Sequence, residues 1–169
     1  SGMTLAGTAY RNALEYARQR IQGRDIARRK EGSVAIIDHP DVRRMLLWMK
    51  AHVEGMRAMN YYAAYCMDMA AIAEDEQERK DWQGLVELLI PVCKAYCSDT
   101  GLLVCSKAID IYGGYGYCSE YPVEQYMRDC KISSIYEGTN GVQALDLVVR
   151  ASNGQLDGGA RGPGGGNGS

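Results

Sequence analysis

The sequence predicts an all-α fold, an antiparallel four-helix bundle with one additional short helix. Three observations predict it. Apolar residues recur at steps of three and four, no strand-like alternation of useful length occurs, and one apolar seam is sustained for about four heptads. The first helix, ~3–21, places Leu5, Ala9, Ala13, Tyr16 and Ala17 on one side. A polar, basic connection over 23–38 follows. The second helix starts at His39-Pro40, because proline suits a first turn where its missing N–H costs nothing. Its seam is Val42, Met45, Met49, His52, Met56, Met59, Ala63, Cys66 and Ala70. The acidic run Glu74 to Asp81 reads as a connection, and ~83–112 as a third helix through Leu85, Leu88, Leu89, Val92, Tyr96, Leu103 and Ile111. After a Gly/Tyr-rich turn at 112–117, a short helix at ~122–130 precedes the last one at ~139–150. These elements define one domain over 1–150. Residues 151–169 hold 8 of the 20 glycines and read as a flexible tail or linker, too poor in apolar surface to offset ordering.

Composition narrows the function. A chain of 169 residues is one domain's worth. Its 19 Lys+Arg against 21 Asp+Glu leave no basic excess to neutralise a phosphate backbone, so nucleic acid is not an expected partner. No uninterrupted apolar run approaches the ~20 residues of a membrane span. The N-terminus lacks the charged and apolar regions of a secretory signal, and a cytoplasmic location is expected. The six cysteines, Cys66, Cys93, Cys97, Cys105, Cys118 and Cys130, include no Cys-x-x-Cys pair, and only His39 and His52 could assist them. They read as free thiols used as small apolar fillers, with no metal site. A di-iron bundle requires Glu-x-x-His ligands, which neither histidine supplies. His52 reads as a hydrogen-bonded core histidine, and the methionines as core rather than a promiscuous groove.

Gly113-Gly114-Tyr115-Gly116 is not a dinucleotide fingerprint, since it closes a helix instead of following a strand. A helix stop and tight turn is the plain reading, but the neighbours add to it. Glu120-Tyr121-Pro122-Val123-Glu124-Gln125, then Arg128-Asp129, then Ile135-Tyr136-Glu137-Gly138-Thr139-Asn140 follow in order. This succession, with Ile90-Pro91-Val92-Cys93-Lys94-Ala95 and Ala17-Arg18-Gln19-Arg20-Ile21-Gln22-Gly23-Arg24 upstream, resembles the C-terminal domain of the acyl-CoA dehydrogenases. The resemblance covers residues 3–150. The long loop before His39-Pro40-Asp41-Val42-Arg43-Arg44-Met45 is similar to the larger bacterial branch, which includes the 3-methylthiopropanoyl-CoA dehydrogenases.

The resemblance implies an FAD-dependent α,β-dehydrogenation of an acyl-CoA thioester to a trans-2-enoyl-CoA, a step of fatty acid β-oxidation. Glu137 matches the base that removes the α-proton while the β-hydrogen leaves as hydride to flavin N5. Thioester α-protons are weakly acidic, so such a base has to be strengthened by desolvation against substrate and flavin. Gly138 and Thr139 match flavin contacts, and Thr139 can also cap the final helix. Arg20 and Gln22 match contacts to the FAD pyrophosphate or adenosine of the neighbouring subunit, a task that suits an always-charged guanidinium. His39 and the stretch Asp110, Ile111, Tyr112, Gly113 and Gly114 match further FAD contacts. Many relatives carry Gln in place of Asp110, His-Gln in place of His39-Pro40, and some a Gln in place of Gly141; an acidic side chain at 110 would repel a pyrophosphate.

Implied partners are the acyl-CoA substrate, electron-transferring flavoprotein as acceptor, and further copies of the chain, a dimer or tetramer formed through the bundle and its Met seam. The family's N-terminal helical and middle β-domains are not in this sequence, so an excised C-terminal domain, inactive alone, is the expectation. Two alternatives stand beside it: a non-enzymatic helical interaction module, and an acyl-CoA oxidase of the same superfamily.

Overall fold

In a computed structural model, which describes residues 1–25 and 32–152, five α-helices follow one another: α1 (Gly2–Gln19), α2 (Pro40–Ile72), α3 (Glu76–Tyr112), α4 (Val123–Ile132) and α5 (Asn140–Ser152). Single 3₁₀ segments, Ile36–Asp38 and Gly113–Tyr117, precede α2 and follow α3. The all-α class is as expected. The glycine-rich stretch lies outside the described residues from 153 on, while α5 runs two residues past its expected end.

The third helix begins earlier than its apolar pattern suggests, and the reason is capping. Asp75 Oδ1 accepts the Glu78 N–H at 2.8 Å, and Glu76 and Glu78 place negative charge in the first turn, where the helix dipole favours it. Arg79 and Lys80 reach back to Glu76 at 2.9 and 3.5 Å, and Arg79 also donates to the Ala73 carbonyl that ends the preceding helix. A charge run read as a connection is therefore a helix start.

The described residues group into two compact units, with α2 and α3 contributing to both. The first holds Ser1–Gly55 and Cys97–Ser134. Its core is α1's alanine stripe, Ala6, Ala9, Ala13 and Ala17, with Met45, Met49 and Val53 from α2, Val104, Cys105 and Ala108 from α3, and Val123 and Cys130 from α4. Small residues on α1 permit close approach: a Cβ on Gly101 would stand 2.8 Å from the Gly2 carbonyl oxygen. A hydrogen bond with Cys130, added to burial, pushes the Cys105 thiol up. His52 donates from Nδ1 to the Trp48 carbonyl at 2.8 Å, the core role its seam position suggested.

The second unit holds Met56–Tyr96 and the residues from Ile135 on. Met56 is fully buried, and Cys66, Ala73 and Trp82 centre a cluster with Met69, Ala70, Leu85, Val86 and Leu89. By length and composition the helical run Glu76–Tyr117 would suffice to cross a membrane, which the apolar runs did not suggest; 44% of its apolar window is buried inside the protein.

Candidate functional site

The residues singled out by sequence fall into two sets. Seven of them, Arg20, Gln22, His39, Asp110, Ile111, Tyr112 and Gly113, line one cavity of about 420 Å³ in the first unit. Gly114 lines a second, of about 370 Å³, that shares Arg20, Gln22, Tyr112 and Gly113.

Chain geometry explains their convergence. Beyond α1 the backbone pairs with the segment before the first 3₁₀ turn through an isolated antiparallel bridge, Ile21 to Ala35. The Gln22 N–H donates to Val34 and the Ile36 N–H to Arg20, at 2.9 and 2.8 Å. His39 closes the same bend. Its ring nitrogen Nε2 lies 2.7 Å from the Gln22 carbonyl, which can only accept, so Nε2 carries the proton. Gly23 sits at φ 77° with His39 Nε2 3.1 Å from where its Cβ would be. Positive φ and a crowded ring together require glycine there.

Arg20 is held on aromatic groups. Its Cζ lies 5.1 Å from the centre of the Tyr115 ring, within cation–π range. Tyr115 packs on Tyr121 at 5.4 Å, and Tyr121 meets Tyr112 edge-on at 5.6 Å. Tyr112 in turn stacks on Tyr16 at 4.0 Å. Burial pushes Tyr16 and Tyr112 above the ordinary tyrosine range, so both remain hydroxyl donors, to the carbonyls of Tyr112 and Asn12 respectively. Arg20 Nε is buried with no hydrogen-bond partner, and Nη2 reaches Gln22 Oε1 only at 3.5 Å. The guanidinium is thus positioned but under-satisfied, as a cation awaiting an acceptor would be. Sequence reasoning named Tyr112 but gave no role here to Tyr16, Tyr115 or Tyr121; the i,i+4 spacing of Tyr16 and Arg20 is a signal that could have found the first of them. Asp110 lines the cavity as expected, and its carboxylate is engaged by Lys107 at 2.8 Å.

Glu137, Gly138 and Thr139 form the second set, in the second unit. Glu137 is exposed and, among the described residues, is the one non-glycine residue at positive φ, 55°. Gly138 follows at 84°. Two left-handed residues in succession turn the chain sharply into α5. Thr139 caps that helix, its Oγ1 accepting the Val142 N–H at 3.3 Å. Asn140 ties the helix start to α3: Lys94 Nζ donates to its Oδ1 at 2.8 Å, and its Nδ2 donates to the Ala95 carbonyl at 3.4 Å. Lys94 and Asn140 lie inside the quoted motifs without having been assigned this role. An apolar cavity of about 230 Å³, lined by Pro91, Val92, Ala95, Tyr96, Gln143, Ala144 and Leu147, lies between the same two helices. Thr139→Ala should destabilise the N-terminus of α5 by about 0.5–1 kcal/mol, read as earlier amide exchange in the first turn of α5 with α1 unchanged.

Residues 1–152 match the family described as acyl-CoA dehydrogenase, C-terminal domain. The chain is 43% identical over 144 residues to a butyryl-CoA dehydrogenase of Syntrophomonas wolfei, covering 85% of this chain and 24% of that protein. It is 42% identical over 149 residues to the 3-methylmercaptopropionyl-CoA dehydrogenase of Ruegeria pomeroyi, covering 88% and 25%. Among solved structures, butyryl-CoA dehydrogenase from Megasphaera elsdenii superposes with a TM-score of 0.71 at 30% identity, covering 89% of this chain and 34% of that one. The chain spans about a quarter of the length of these curated relatives. By the extent of the family match and its agreement with the fold, the chain belongs to the acyl-CoA dehydrogenase family, in its C-terminal domain.

Proposed function

We propose that this chain supplies the proton-abstracting base and part of the FAD cradle of an acyl-CoA dehydrogenase that forms trans-2-enoyl-CoA from an acyl-CoA thioester. The observation that carries the reading is the backbone of Glu137. A non-glycine residue at φ 55° costs about 1 kcal/mol and persists only where its surroundings impose it. Thr139 and Asn140 impose it here, by capping α5 and by fastening its start to α3. Strain concentrated on the one carboxylate that the family motif designates as base is what a presented catalytic group looks like.

Glu137 takes the α-proton and becomes a carboxylic acid. The C–H electron pair then forms the α,β double bond as the β-hydrogen departs with its own pair. FAD, when bound, supplies the acceptor for that hydride at N5. The cavity residues fit a dinucleotide's diphosphate: Arg20 offers an under-satisfied guanidinium, Gln22 an amide, and the turn at Gly113 and Gly114 exposed backbone. Gly138 and Thr139 would stand at the flavin, where a glycine gives close approach.

Two partners complete the proposal. Electron-transferring flavoprotein is the acceptor, a coupling carried in the name of one relative, a caffeyl-CoA reductase-Etf complex subunit of Acetobacterium woodii. Further copies of the chain cover apolar surface. The Met seam expected to drive self-association is core, with Met49 and Met56 fully buried, so that role passes to the exposed Tyr61, Tyr62, Tyr65, Met67 and Ile72 of α2.

Arg20→Ala in the flavoenzyme that carries this chain should weaken FAD retention about tenfold or more, because a charge-assisted phosphate contact is lost. Gel filtration with flavin absorbance measures it. Unchanged retention would remove the cradle from the reading.

A further inference from the structure

The cavity around Arg20 poses a problem of sign. Among the described residues its charge-bearing lining is Arg20, His39 and Asp110, beside the hydroxyls of Tyr16 and Tyr112, and His39 has its Nε2 proton committed to the Gln22 carbonyl. An isolated Asp110 carboxylate would offset the Arg20 cation and leave little net attraction for an anion. Lys107 changes that balance without lining the cavity. It stands one turn back on α3 with Nζ 2.8 Å from Asp110 Oδ2.

We infer that Lys107 is the counter-ion that makes Asp110 tolerable at a diphosphate-binding cavity, turning a repelling charge into a neutral pair and leaving Arg20 as the net positive charge. The inference rests on the proposed FAD cradle and deepens it, since it adds a residue needed for capture of the diphosphate. The pair is half-exposed, with side-chain exposures of 38% and 48%, and such pairs add little to folding. Removing Lys107 therefore changes the field in the cavity and not the fold. Asp110 is in the cavity wall and Lys107 Nζ stands 2.8 Å from it, a separation short against the Debye length of ~10 Å at 0.1 M salt, so the field of the pair is felt at that wall.

The test is calorimetric titration of ADP, a diphosphate probe, at low ionic strength into the FAD-stripped form of the flavoenzyme proposed to carry this chain, with thermal melts confirming that each variant is folded. Lys107→Gln should weaken binding roughly three- to tenfold, and the loss should shrink as salt is raised. Asp110→Asn should bind somewhat more tightly than wild type, because Lys107 is then uncompensated. The double variant Lys107→Gln/Asp110→Asn should return to within about twofold of wild type, since both charges of the pair are gone. If Lys107→Gln binds as wild type while Arg20→Ala binds weakly, the diphosphate site stands and Lys107 has no part in it. If Lys107→Gln weakens binding and the double variant fails to recover, Lys107 acts by direct contact and the counter-ion role is wrong. If wild type does not bind ADP, or Arg20→Ala binds equally well, the cradle itself fails and the inference with it.

Discussion

With Glu137 as the proposed base, Glu137→Gln is expected to lower turnover about a thousandfold in the flavoenzyme proposed to carry this chain, with FAD still bound and the melting temperature unchanged. The amide matches the carboxylate in shape and in its tolerance of the φ of 55°, so the backbone turn into α5 survives. What disappears is the capacity to accept a proton, and with it the only route by which the α-carbon can lose one to this residue. Stopped-flow absorbance of the bound flavin on mixing with an acyl-CoA measures the step. Near-normal reduction with flavin retained would reassign the base. Glu137→Gly gives a complementary readout. It abolishes turnover as well but relieves the left-handed strain, so it should melt no lower than wild type, whereas an ordinary truncation at a structural site melts lower.

Sequence pattern reached the helices because a bundle helix declares itself twice, by period and by its caps. The Met seam of α2 is buried where the period put it, at Met45, Met49 and Met56. Where charge replaced apolar period the pattern failed. Glu74 to Asp81 carries no apolar stripe, yet Asp75 caps α3 and Arg79 closes the end of α2, work done by hydrogen bonds that hydrophobic periodicity does not register. The bridge between Ile21 and Ala35 is likewise too short to produce alternation, and it is what brings Gln22 and His39 beside Arg20.

The candidate site was legible as motifs and illegible as electrostatics. Residue order singles out Arg20, Asp110 and Glu137 as candidates, but it leaves Asp110 a negative charge without its partner, Lys107, which the fold places on it. The tyrosine stack was hidden for a related reason. Tyr16 on α1 lies 96 residues from Tyr112 on α3 and further still from Tyr121 before α4, and each alone looks like a helix-face or turn residue. Only folding shows that together they shelve Tyr115 beneath the guanidinium.

That shelf depends on one glycine, which sets the second large effect. Gly116 is buried in the 3₁₀ turn after α3, and a Cβ there would stand 2.8 Å from the Ile109 carbonyl oxygen and 2.9 Å from the Ile109 Cα. Both are backbone atoms of the helix the turn folds against, so neither can swing aside as a flexible side chain would. Gly116→Ala should therefore cost about 2–3 kcal/mol, as overpacking against fixed atoms does. Gly114, two residues earlier, is the internal control. Its Cβ would meet nothing within 4 Å and its φ is ordinary, so Gly114→Ala should change stability by no more than about 0.5 kcal/mol. Urea unfolding followed by far-ultraviolet circular dichroism measures both. Equal midpoints would mean that the turn can lift off α3 freely. In that event Tyr115 is not held by the fold, and the orientation of Arg20 would have to come from the ligand instead of being prepared for it.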